Sequence, residues 1–135
     1  MTSFALQPVQ QALYSKLTSD GVLMGMVSGV YDAPPQHAAV PYIVIGDGEA
    51  VGKPQVMGDV TECRLELHVW TTASGRKASL AILNRLHGLL HQGTMSVSGF
   101  TLLTMRTSRA DTQVEPENDR ILGRLEIVLL VRPVS

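Results

Sequence analysis

A chain of 135 residues, 44% hydrophobic and 17% charged with a net charge of −1, is sized for one domain, 1–135, that buries a core without disulfides or metals. The near-neutral balance excludes a general nucleic-acid binder, which needs a basic field to release counterions from phosphates, and it excludes anchoring at an anionic membrane. Cys63 is the single cysteine, so no internal disulfide forms, and no apolar run approaches the roughly 20 residues of a membrane span.

In chain order, Met1 is followed by polar Thr2 and Ser3 rather than by the apolar run of a secretion signal, which points to a cytosolic setting. Leu6, Val9, Leu13 and Leu17 recur at helical spacing and predict an amphipathic helix over 4–19, with Ser3 as its N-cap and Gly21 at its stop. A short helical turn over Val22–Met26 is interrupted by Gly25. Pro34, Pro35 and Pro41 hold their predecessors extended and make 32–41 a loop. Tyr42–Ile45 is a short apolar strand, and the glycine-rich stretch 46–58 reads as a long mobile loop.

From Thr61 to Thr71, Cys63, Leu65, Leu67 and Val69 alternate with Glu62, Arg64, Glu66 and His68, the period of a strand with one face in the core. A second helix is expected over 75–91, with Ala78, Ile82, Leu86 and Leu89 as its core stripe. A third strand begins at Gly99 and Phe100 and runs to about Arg109, followed by an acidic, turn-rich tip over 110–119. The last strand, Arg120–Arg132, sets Ile121, Gly123, Leu125, Ile127, Leu129 and Val131 against Leu122, Arg124, Glu126, Val128 and Leu130. Helix, strands, helix, strands is the order of an α+β layer: a mainly antiparallel sheet with two helices packed on one face.

No residue pattern declares catalysis. Gly46 to Lys53 superficially matches a phosphate loop, but Asp47 stands where the first glycine belongs, and Pro54 where the magnesium-binding hydroxyl belongs. His87 and His91 are one helical turn apart and could share a metal, yet Gly88 replaces the zincin glutamate and no third ligand is evident. They read as solvent-facing histidines near a helix C-terminus, and Cys63 as a buried, inert thiol. Glu62, Arg64, Glu66, Arg124 and Glu126 read as a cross-strand ladder rather than as paired catalytic carboxylates. The expectation is a protein with neither enzyme chemistry nor cofactor.

The outward positions Trp70, Leu122, Val128 and Leu130 predict an exposed apolar patch edged by Arg and Glu, the usual mark of a protein interface. Asp47, Glu49 and Lys53 in the first long loop, and Glu115, Glu117 and Asp119 in the acidic tip, are the remaining candidate contact residues.

The run Pro41-Tyr42-Ile43-Val44-Ile45-Gly46 carries a resemblance, together with Leu65-Glu66-Leu67-His68-Val69-Trp70-Thr71. Gly75 and Ala78 then open a helix carrying Leu86 and Leu89, and Gly99-Phe100 and the apolar last strand follow. Over roughly residues 5–132 the chain resembles the tail-terminator or tail-completion family of long-tailed phages and gene transfer agents. The resemblance implies a homohexameric ring that caps the tail tube, with the tube protein and the head connector as partners. DNA would pass through the lumen without specific binding, no membrane would be involved, and the site would be a virion tail assembled in the bacterial cytoplasm. The family has no catalytic residues to carry over. Rival readings are a head-tail connector or minor capsid protein of the same particle, a small α+β ligand-binding domain and, last, a metal-dependent hydrolase using His87 and His91.

Overall fold

The computed structural model describes residues 5–53, 59–74 and 76–134. Helix α1, Leu6–Thr18, buries Val9, Ala12, Leu13 and Leu17, three of them from the expected stripe. Ser3 lies outside the described residues, and Ala5 holds the N-cap position without a side-chain cap bond. Asp20, just before the expected stop at Gly21, begins the next helix. Its Oδ2 accepts a hydrogen bond from the Leu23 backbone N–H at 2.8 Å and caps the one-turn helix α2, Gly21–Met24.

Among the described residues five strands form one sheet in the order β1-β2-β3-β5-β4. These are β1, Val30–Tyr31; β2, Tyr42–Gly52; β3, Thr61–Thr72; β4, Phe100–Glu115; and β5, Arg120–Pro133. Only the short β1–β2 pair is parallel. The central pair runs in unbroken register from Thr61 opposite Val131 to Thr72 opposite Arg120.

Two expected loops prove to be strand. The chain after Ile45 continues pairing with β3 as far as Gly52, past an irregularity at Gly46 and Asp47. Such a bulge breaks the period-two signal while leaving the ladder intact. A Cβ at Gly46 would stand 3.1 Å from the Glu66 carbonyl, so the missing side chain is what lets the two backbones meet there. Positions 54–58 of the expected loop lie outside the described residues. Likewise β4 runs to Glu115 instead of ending near Arg109, with register shifts at Leu103 and Ser108, and the acidic tip shrinks to a turn over 116–119.

Helix α3, Lys77–Leu90, buries Ser79, Ile82, Leu83, Leu86 and Leu90. Its buried face is therefore rotated from the expected stripe: Ala78 is exposed and Leu89 half-buried. The cause is the crossing over β5 at Gly123, where a Cβ would lie 2.8 Å from Ser79 Oγ and 3.2 Å from Leu83 Cδ1. Glycine there lets the helix settle with Ser79 and Leu83 against the strand. At the other end of the sheet, Leu6 of α1 reaches to 3.4 Å of the Cβ position of Gly48, on the face that carries Leu65.

Both long helices thus cover the same face, and one hydrophobic cluster results. Ile43, Cys63, Leu67, Val69, Ile127, Leu129 and Val131 meet Val9, Leu13, Leu17 and Leu86 there, all with no exposed surface. Each such fully buried aliphatic side chain contributes roughly 1.5–3 kcal/mol of transfer free energy. Cys63 sits inside this layer; burial, reinforced by nearby Glu62, pushes its thiol up to about 11, so it is not a nucleophile at neutral pH.

Candidate functional site: the open face and the edges of the sheet

The face without helices is the one the alternation assigned to Trp70, Leu122, Val128 and Leu130. Its apolar residues do not form one patch. Trp70 lies opposite Leu122 at one end, while Val128 and Leu130 lie at the other. Val128 is only 2% exposed, contrary to expectation, because it stands in register between Arg64 and Arg106, whose long stems flank it. Trp70, Leu122 and Leu130 are half-buried. The aromatic end is extended by Tyr42, opposite Trp70; Tyr42 meets Tyr31 edge-on with ring centroids 5.9 Å apart and accepts a hydrogen bond from Arg120 at 3.3 Å.

Between the two apolar ends lies a polar belt. Glu66 and Glu126 face each other directly in the ladder, an arrangement that repels unless other charges intervene. They do intervene. Arg64 Nη1 approaches Glu126 at 3.4 Å and its Nε approaches Glu62 at 3.5 Å, while Ser108 Oγ donates to Glu126 at 2.6 Å. His68 Nε2 lies 2.7 Å from Glu66. Lys53 pairs with Glu62 at 3.6 Å, and Arg109 with Asp111 at 3.6 Å. Arg124 takes Asp111 as its partner at 3.0 Å rather than a glutamate, and that bond raises the guanidinium pKa further. The expected cross-strand Arg–Glu ladder exists, with each carboxylate in the belt beside a cation or a donor. Such a surface suits a compensated wall better than proton transfer.

The histidines tie a helix to a strand. The rings of His87 and His91 stack with centroids 4.7 Å apart, and both Nδ1 atoms converge on Thr107 of β4. The Thr107 backbone N–H donates to His91 Nδ1 at 3.2 Å, which makes that nitrogen an acceptor. Among the described residues, no group of three or more His, Cys, Asp or Glu side chains is gathered that could hold a metal. The stretch that superficially matches a phosphate loop is the far half of β2, extended rather than wrapped around an anion.

Each edge of the sheet is partly covered. Among the described residues β1 covers only Ile43 and Val44 of β2, so Ile45–Gly52 is paired there on one side alone, with Asp47 and Glu49 exposed on it. At the far edge β4 has β5 as its one strand neighbour among the described residues and exposes Arg106 and Arg109, while its outer side is covered at Met105, whose carbonyl accepts from the Gln92 backbone N–H at 2.8 Å, and at Thr107, bonded to His91. A groove of about 660 Å³ lies between α3 and β4, floored by Leu83, Ala110 and Leu125, with Leu80 on its rim at 53% exposure. Another, of about 570 Å³, lies beside α1 and includes Tyr14 and Ile45. Glu117 and Asp119 are exposed in the 116–119 turn; Glu115 is half-buried opposite Arg120.

Sequence reasoning missed Arg106, Arg109, Leu80 and Tyr14. Leu80 carried a signal, as a leucine off the core stripe of its helix; the arginines carried none, because their strand was read as ending near them.

Among the described residues no helix is long and apolar enough to cross a membrane. The family model for tail completion protein gp17 matches residues 11–132. A chain of the structure titled "Virion of native gene transfer agent (GTA) particle" is similar with TM-score 0.87 and 23% identity, over 97% of this chain and 99% of that one. The bacteriophage SPP1 gp17 protein is similar with TM-score 0.63 and 22% identity, over 96% of this chain and 90% of that one. No curated protein matches. Both structural likenesses concern the fold. The match over 11–132 takes in nearly all of the sequence, and on that ground the chain belongs to the tail completion protein gp17 family, whose members are structural proteins of the virion tail and not enzymes.

Proposed function

We propose that this chain closes into a six-membered ring that ends the tail tube and joins it to the head connector. The observation that carries the reading is the near-complete likeness, at TM-score 0.87, to a chain of a gene transfer agent virion, joined to membership of a tail completion family. The molecule's own geometry supports it. A ring is built by repeating one head-to-tail contact between two different surfaces, and the β2 side and the β4 side of this sheet are different surfaces on opposite flanks of the sheet.

In this reading DNA passes through the lumen without being held. The open sheet face suits a lumen wall because its charges are mutually compensated, and a basic lining would retain phosphates by counterion release. The tube protein and the connector dock above and below the ring, where the 116–119 turn and the Gly52 end of β2 lie at opposite ends of the strands.

Cryo-electron microscopy of intact particles tests the proposal. The expected result is a six-fold ring of this chain, about 88 kDa for six copies of 14.6 kDa, between tube and head. The chain found instead in the capsid wall or as a connector ring of another symmetry would favour the head-tail connector or minor capsid reading.

A further inference from the structure

We infer that the groove between α3 and β4 receives Tyr14 of a second copy of this chain, while Arg106 and Arg109 beside it meet that copy's Asp47 and Glu49. This rests on the ring reading above and specifies its contact. The contact is made by side chains and not by a continued strand ladder, because β4 is covered at Met105 and Thr107 by residues 91 and 92.

The two flanks of the subunit are complementary layer by layer. α1 packs on β1 and β2, and α3 on β3, β4 and β5, so each flank carries one margin of the sheet and one helix. On the open face the register lines up Glu49, Arg64, Val128 and Arg106 in one row. The next row passes from the irregularity at Asp47 through Glu66 and Glu126 to Arg109. Inside the rows the charges are matched: Arg64 lies between Glu62 and Glu126, and His68 lies beside Glu66. At the ends they are not. Among the described residues Asp47, Glu49 and Arg106 have no ion-pair partner, and Arg109, its side chain 74% exposed, reaches only Asp111 at 3.6 Å. Unmatched acids therefore stand on the β2 margin and under-used guanidiniums on the β4 margin, all of them exposed.

On the helical side the match is apolar. Tyr14 stands out from α1 at 47% exposure, with Gln10, Gln11 and Asp32 around it. The groove on the other flank, about 660 Å³, offers Leu80, Leu83 and Leu125 to an aromatic ring and Asn84 to its hydroxyl. Asp111, the acid in that lining, is already held by Arg124, so Arg109 sets the sign of the rim, opposite to Asp32 beside Tyr14. An aromatic anchor in a pocket bordered by charge pairs is the usual energetic centre of an interface.

With every open face turned to the lumen, rotation brings the β2–α1 flank of one copy against the α3–β4 flank of the next, helix layer to helix layer. A two-fold contact between identical flanks would set like charges together, so the pattern favours head-to-tail closure over a symmetric dimer.

The test uses the full chain in assembled particles. Tyr14 is replaced by the photoreactive amino acid benzoylphenylalanine, and cross-linked peptides are identified by mass spectrometry. Capture of residues 80–87 or 107–112 of another copy is expected. In parallel, reversing one margin, by Asp47→Lys with Glu49→Lys or by Arg106→Glu with Arg109→Glu, should lower ring incorporation by about tenfold, and reversing both margins should restore it. An intact ring whose cross-links from position 14 land elsewhere, with no rescue by the double reversal, overturns this contact while leaving the ring reading standing. Particles without any ring of this chain overturn both.

Discussion

Asp20 and Arg85, 65 positions apart, are joined by two hydrogen bonds: Arg85 Nε donates to Oδ2 at 2.9 Å and Nη2 to Oδ1 at 2.6 Å. The same carboxylate caps α2, so one side chain fixes the α1–α2 corner and ties it to α3. The Arg85 hydrogen bond, with the Leu23 N–H behind it, holds the Asp20 carboxyl below its usual 3.8. A lowered folded-state value means that the ionised group stabilises the fold above 3.8, and that this contribution fades as pH falls through the lower folded value. Thermal unfolding from neutral to strongly acid pH should show Asp20→Asn removing part of the acid-side decline while keeping the cap. Asp20→Ala should unfold earlier than Asp20→Asn at neutral pH; equal melting temperatures would mean that the cap carries nothing.

Leu86 has no exposed surface and lies in the main core cluster. Leu86→Ala should lower stability by about 2–5 kcal/mol through lost transfer energy and the cavity left behind. Equilibrium denaturation giving a loss below about 0.5 kcal/mol would contradict the packing of α3.

Two glycines near α3 should respond with opposite signs. Gly123→Ala drives a methyl toward Ser79 Oγ and Leu83 and should destabilise by about 1–3 kcal/mol. Gly88 is exposed in the helix, and a methyl added there would meet nothing within 4 Å, so Gly88→Ala should stabilise by about 0.5–1 kcal/mol. Denaturant midpoints of the two variants decide the matter.

Replacing His87 and His91 with Gln breaks the convergence on Thr107, and a small fall in melting temperature is expected with ring incorporation retained. Elemental analysis supplies the counter-test. Stoichiometric zinc in the wild type, lost in the double variant, would restore the metal reading.

Glu117→Lys with Asp119→Asn changes charge in an exposed turn while respecting the positive φ of 53° at Asp119, which asparagine also tolerates. Docking to a tube or connector partner should weaken, most at low salt, while the melting temperature stays within about a degree of wild type. Equal partner binding across salt concentrations would remove this turn from the interface.

The sequence by itself determined the layers of this protein. The period of β3 and β5 placed Leu65, Leu67, Leu125 and Ile127 in the core. The helical stripe of α1 did the same for Val9, Leu13 and Leu17, because burial of a periodic apolar set is local information. What only the tertiary structure decided were the edges. The far half of β2 and the end of β4 lack a sustained apolar alternation and carry irregularities; their strand character comes from a partner ladder, not from their own pattern. The rotation of α3 was decided at Gly123, where a missing side chain on another element sets which helix residues touch the sheet. For the same reason the rows that run from Asp47 and Glu49 to Arg109 and Arg106 were invisible in the chain. Their members are distant in sequence, and only the register of four strands lines them up.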